Sequence, residues 1–147
     1  MNGTQDTTAR RILFVEDDPD IQTVAKMALE ALGGFTVLAC SSGAEALAEV
    51  DRFGPDLVLL DVMMPGMDGP TTLVALREHA AGRTVPVIFM TAKVQAPELD
   101  RYRALGAEDV IAKPFDPMSL SDRVWAIWHG LQARQAEAGR GAEAVAS

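Results

Sequence analysis

Residues 57–61, Leu-Val-Leu-Leu-Asp, decide the fold. Four apolar residues in an unbroken run, met at once by a carboxylate, read as a short strand buried on both faces with an acid at its carboxyl end. Ile12-Leu13-Phe14-Val15 runs into Glu16-Asp17-Asp18 in the same way, and Val87-Ile88-Phe89-Met90 runs into Thr91. With two weaker runs, the predicted strands are 11–15, 35–39, 56–60, 86–90 and 109–112.

Helical patterns fill the intervals. Ile21, Val24, Ala25, Ala28 and Leu32 form one apolar stripe that Gly33-Gly34 stops. Asp18 before Pro19 is an N-cap, and Ser42 with Glu45 three residues on is a capping box for a helix through about Arg52. Asp68 caps a helix predicted to reach about His79, and Pro97-Glu98 opens one that ends at Gly106. Asp116-Pro117 starts the last helix, with the stripe Leu120, Val124, Ile127, Trp128, Leu131. Strand–helix units of this length imply right-handed crossovers, hence an α/β fold with a doubly wound parallel sheet.

Composition bounds the function. The chain has 147 residues, 48% hydrophobic and 23% charged, enough for one domain with a real core. No apolar run approaches the roughly 20 residues of a membrane span, and the polar first ten residues lack a secretory h-region. A net charge of −8 argues against nucleic acid as a partner. One cysteine, Cys40, and two histidines, His79 and His129, leave neither a disulfide nor a histidine metal site, and a reducing cytoplasm is the expected compartment. The expected layout is a flexible N-terminus over 1–9, a folded domain over 10–131 and a disordered tail over 132–147, where Ala, Gly, Glu, Gln and Arg take over.

Open α/β sheets bind ligands at the carboxyl ends of their strands, where Glu16, Asp17, Asp61, Thr91 and Lys113 all fall. If strands one and three are neighbours, the acids converge. Like charges about 4 Å apart at an effective dielectric of 20 repel by roughly 4 kcal/mol. Such a cluster must protonate, spread or hold a cation, and carboxylate oxygens suit Mg²⁺. Taken singly, Asp17 reads equally as a loop acid, Asp61 as a turn residue before Met63-Met64-Pro65-Gly66, and Thr91 and Lys113 as ordinary surface residues. Trp125 lies off the centre of its helix stripe, so it is either a partly exposed interface residue or an edge of the core. Cys40 reads as a small core residue, and His79 as a solvated or helix-end residue.

Four ordered segments, ILFVEDDPDI, LVLLDVMMPGMDG, VIFMTA and IAKPF, resemble the receiver domain of two-component response regulators. The resemblance covers about residues 10–129. It implies a flavodoxin-like (βα)5 fold with strand order 2-1-3-4-5. It also implies that Asp61 is the phosphoacceptor, with Thr91 and Lys113 contacting the phosphoryl group. Glu16, Asp17, Asp61 and the backbone carbonyl of Met63 would hold Mg²⁺, and Lys113-Pro114 would be cis. The family usually has Tyr or Phe where Val110 stands, so its aromatic readout is absent here.

The implied function is a stand-alone response regulator: phosphorylated by a sensor histidine kinase, it switches binding to a downstream target protein, as a monomer or weak dimer. It is a phosphoacceptor switch rather than an enzyme on other substrates. The alternatives are a phosphorelay intermediate feeding a histidine phosphotransfer protein, and a receiver-like adaptor that is never phosphorylated. An attached DNA-binding domain would need about 60 further residues, so output through protein contacts is expected.

Overall fold

Strands and helices alternate in the order β1 (Arg11–Val15), α1 (Pro19–Ala31), β2 (Thr36–Cys40), α2 (Gly43–Phe53), β3 (Leu57–Asp61), α3 (Gly69–Leu76), β4 (Val87–Thr91), α4 (Ala96–Ala104), β5 (Asp109–Ala112) and α5 (Pro117–Ala146) in a computed structural model. It describes residues 11–146, with side chains through 138. The expected flexible stretch 1–9 lies outside the described residues. The five strands pair in parallel in the order β2-β1-β3-β4-β5, the arrangement implied by the receiver resemblance.

The continuous apolar runs are buried on both faces because helices cover both. Ile12, Phe14, Leu57, Leu59, Ile88 and Met90 face one way, against Ala25 and Leu29 of α1 and Leu120, Val124 and Ile127 of α5. Their neighbours along the strands, Leu13, Val15, Val58, Leu60, Val87 and Phe89, face α2, α3 and α4. β1 and β3 pair side by side, with Val15 opposite Leu60. The acids that follow each strand therefore emerge together.

The caps form as expected, with one variation. Asp18 accepts from the Asp20 and Ile21 N–H groups, Asp68 from Thr71, and Asp116 from Met118. Ser42 accepts from the Glu45 N–H, but Glu45 reaches back to the Ser41 N–H at 2.7 Å rather than to Ser42.

Several boundaries differ from the sequence reading. β2, β3 and β4 each begin and end one residue later, so that Asp61 and Thr91 are the last residues of their strands rather than the first of their loops. Polarity suggested a strand end, but the ladder continues: Asp61 stands opposite Met90, and the Val62 N–H donates to the Met90 carbonyl at 3.1 Å. α3 stops at Leu76 instead of near His79. Beyond it Arg77 Nη1 donates to the Gly82 and Val85 carbonyls, so a side chain closes the turn that a further helical turn would have filled. His79 accordingly sits past the helix, where its ring nitrogen pairs with Asp51 at 3.2 Å.

α5 is continuous through Ala146, where a disordered tail was expected. Ala, Gln, Glu and Arg are strong helix formers, so the backbone need not change where core contacts stop. The last buried residue is Leu131, and 133–138 are exposed. Trp125 is half-buried and packs against the edge of the core. Its ring stacks on Phe35 with centroids 4.4 Å apart, and its Nε1–H donates to the Gly33 carbonyl at 3.0 Å. Cys40 is buried, and burial followed by the nearby Glu45 and Glu49 charges pushes its thiol up to about 12. It is an inert core thiol.

Candidate functional site

β1 and β3 end side by side and turn outward, delivering Glu16 and Asp17 from one and Asp61 from the other. One carboxylate oxygen from each of the three lies within 4.8 Å of the others. Glu16 is 1% exposed and Asp61 3%. The turn after β1 is fixed by its own hydrogen bonds. Asp18 N–H donates to Glu16 Oε2 at 3.1 Å, while Gln22 Nε2–H reaches the Glu16 carbonyl at 3.0 Å and the Cys40 carbonyl at 3.2 Å. The sequence reading passed over Gln22. Its only signal in the sequence is an amide within the first turns of the helix that follows Glu16-Asp17-Asp18.

Lys113, on the segment after β5, crosses to the acids. Its Nζ donates to Glu16 Oε1 at 2.7 Å and stands 3.3 Å from Asp61 Oδ1. The Lys113-Pro114 bond is cis. Thr91 closes the cleft from β4, 1% exposed, with its Oγ1 accepting from the Lys93 N–H at 3.0 Å. Met63 lies at the opposite rim, its N–H donating to Asp61 Oδ1 at 3.2 Å. All six residues singled out from the sequence border one cleft.

One cation does not balance this cluster. Burial first, and the Glu16 charge second, push the Asp61 carboxyl up to about 7, with Lys113 offsetting only part of the rise. Burial pulls the Lys113 ammonium down, yet the Glu16 bond and the Asp61 charge outweigh it and leave it above its usual range. Each Glu16 oxygen already has a donor, from Asp18 N–H and Lys113 Nζ. The donor set is three carboxylates with excess negative charge, which fits a hard divalent cation such as Mg²⁺ and not a soft thiophilic one.

The response regulator receiver domain matches residues 12–125 by its family profile. MtrA of Mycolicibacterium smegmatis, a DNA-binding response regulator, is 39% identical over 81% of this chain and 50% of its own length. The phosphate regulon transcriptional regulatory protein PhoB of Escherichia coli is 36% identical over 88% of this chain and 56% of its own. The chain spans about half the length of these curated relatives. Among solved structures, chemotaxis protein CheY4 of Vibrio cholerae superposes with a TM-score of 0.75 at 26% identity, covering 82% of this chain and 99% of that one. The receiver domain of a sensor histidine kinase from Pseudomonas aeruginosa, with a magnesium ion coordinated in its active-site cleft, gives 0.71 at 32% identity, covering 84% and 99%. Fold, ordered motifs and acidic cleft agree, and the chain belongs to the response regulator receiver family of two-component signalling.

Proposed function

We propose that this chain is a phosphorylation switch whose phosphoacceptor is Asp61. The observation that carries the reading is the cluster itself: Glu16, Asp17 and Asp61 meet within 4.8 Å, and Lys113 spans two of them. A carboxylate oxygen of Asp61 attacks the phosphorus of a phosphohistidine on a sensor kinase. The new O–P bond forms as the N–P bond breaks, and the departing imidazole keeps the electron pair and takes up a proton. Glu16, Asp17, Asp61 and the Met63 carbonyl are the residues that would hold Mg²⁺, which supplies positive charge to the phosphoryl oxygens. Lys113 adds a point charge, and the Thr91 hydroxyl, whose oxygen accepts from the Lys93 N–H, keeps its own O–H free to donate to a phosphoryl oxygen.

Asp61 is poor as a nucleophile while its proton is retained, and a divalent cation at the cleft favours loss of that proton. Phosphorylation therefore depends on the metal. An apolar groove lined by Ile21, Val24, Pro114 and Phe115 opens beside Lys113 and supports docking of the histidine-bearing protein at this edge. Phosphorylation adds about −1.5 to −2 charge, which shifts the receiver between two arrangements and changes its affinity for a downstream protein. The receiver unit is 10–131, and no helix of the described residues is long and apolar enough to cross a membrane. The setting proposed for the receiver unit is the cytoplasm, where the lone thiol Cys40 stays reduced.

The test is incubation with Mg²⁺ and acetyl phosphate followed by intact mass. One phosphoryl adduct is expected, absent in Asp61→Asn and absent when EDTA is added first. An adduct that persists in Asp61→Asn overturns the assignment.

A further inference from the structure

Tyr102 is the single buried residue of α4, with half-buried Leu99 packed beside the same core. The rest of this nine-residue helix is charged residues, two alanines and a proline, none of them buried, and Gln95 at its N-cap makes no side-chain bond to the first turn. A helix this short gains little from its own backbone and depends on what it buries. One aromatic side chain thus does most to seat α4 on the sheet.

The seat is imperfect. Tyr102 is 0% exposed, yet its hydroxyl is the one buried side-chain polar atom among the described residues with no hydrogen-bond partner. A hydroxyl buried and unbonded destabilises the arrangement that buries it, whereas phenylalanine would fill the same space without that cost. Its ring meets Phe89 edge-on, with centroids 5.3 Å apart. Phe89 stands opposite Val110 in the ladder, and Thr91 follows two residues along β4, on the same face of the sheet. The Tyr102 ring thus packs on the strand that carries Thr91, two residues from it, at the rim of the acidic cleft.

We propose that Tyr102 is a positioning residue poised between two arrangements of α4. In the one seen here the hydroxyl is orphaned. In the other, favoured once the cleft holds a phosphoryl group, the hydroxyl gains a partner in water or backbone. The orphaned group raises the resting arrangement in free energy and so narrows the gap that phosphorylation must close. This rests on the reading of Asp61 as phosphoacceptor.

Tyr102 is the only tyrosine in the chain, so ¹³C-tyrosine labelling gives one set of ring resonances. The full chain is titrated with Mg²⁺ and beryllofluoride, a phosphoryl analogue, and binding is followed in parallel by calorimetry. The ring resonances are expected to move with the calorimetric midpoint. Tyr102→Phe should bind beryllofluoride about tenfold more weakly, because its resting arrangement has lost the penalty, and should unfold at higher urea concentration. Resonances that stay fixed while calorimetry records binding overturn the proposal. So does a Tyr102→Phe variant with unchanged affinity, or one that is less stable than the parent. No calorimetric binding by the parent chain overturns the reading of Asp61, and this inference with it.

Discussion

Lys113 and Glu16, 97 residues apart in the chain, are joined by a 2.7 Å hydrogen bond beneath the mouth of the acidic cleft. The bond helps hold the Lys113 ammonium above its usual range against the pull of burial. Lys113 reaches Asp61 as well, so a single ammonium serves two buried carboxylates and satisfies neither charge fully. The cleft is held together by a group that an incoming anion can also use.

Removing that ammonium has a cost that depends on pH. Lys113→Met keeps the aliphatic stem but leaves Glu16 and Asp61 facing each other. Breaking a buried ion pair by deleting one partner costs about 3 kcal/mol. That figure is expected at pH 7.5 in EDTA, with a smaller loss at pH 5, where Asp61 is protonated and no longer repels Glu16. Urea unfolding at the two pH values measures it. An equal loss at both would show that Lys113 acts through packing.

Asp61 itself gives the metal-free protein an unusual pH profile. Its carboxyl is raised in the fold to about 7 against an unfolded value of 3.8. The folded state therefore holds a proton that the unfolded chain gives up. The stabilisation is complete below about pH 4 and is lost as pH rises through 7, at up to ~1.4 kcal/mol per pH unit. Asp51 and Asp68, lowered chiefly by backbone N–H donors, act at the acid end and in the opposite sense, their stabilisation fading as pH falls. Comparing the parent with Asp61→Asn in EDTA isolates the first effect: the fall between pH 4 and 7 should flatten in the variant. A parallel pair of curves would remove Asp61 as its source.

Asp17 separates metal binding from stability. It takes no part in the Lys113 ion pairs, so Asp17→Asn should change metal-free stability by no more than about 0.5 kcal/mol. Mg²⁺ should raise the Tm of the parent, because a ligand bound only by the folded state stabilises it by mass action. That rise is expected to shrink or vanish in Asp17→Asn. Undiminished Mg²⁺ stabilisation would place the cation elsewhere.

Trp125 is expected to matter for folding. Its stacking on Phe35 and its bond to the Gly33 carbonyl tie α5 to the turn between α1 and β2. Trp125→Ala should cost about 3 kcal/mol, the low end for a truncated aromatic because the ring is half-buried. Trp125→Phe, which keeps a ring and loses the N–H, should cost roughly half as much. Thermal unfolding decides, and a Trp125→Ala loss below about 0.5 kcal/mol would return the residue to the surface.

The contrast shows what the sequence could reveal. Strand cores and caps were legible because they are local: an unbroken apolar run or an Asp-Pro pair carries its own physics. Glu16, Asp17 and Asp61 were legible because acids directly after buried strands need a reason to be there. Trp125 was not, since its N–H partner lies 92 residues away. Nor was the early end of α3, where Arg77 bonds carbonyls at Gly82 and Val85 across a loop with no pattern of its own. The orphaned hydroxyl of Tyr102 is a property of its surroundings, and no residue type announces it.

Gly69 is the least legible of the residues that shape the site. From the sequence it weakens the start of α3, yet in the fold it lets that helix lie against the end of β3. Its N–H donates to the Val62 carbonyl at 3.0 Å, and a Cβ there would stand 2.6 Å from the Asp61 carbonyl oxygen and 2.8 Å from Val62 Cα. Both contacts are backbone, so neither can swing aside. Gly69→Ala should cost about 1–3 kcal/mol by overpacking. Because the displaced atoms belong to Asp61 and its neighbour, phosphorylation by acetyl phosphate should also slow by about tenfold or more. Gly54→Ala is the control. It places a side chain at φ +64 at the end of α2 with nothing within 4 Å, and costs roughly 1 kcal/mol through backbone strain alone. Its phosphorylation rate should match the parent's. Equal slowing in the two variants would mean that lost stability, rather than a shifted Asp61, sets the rate.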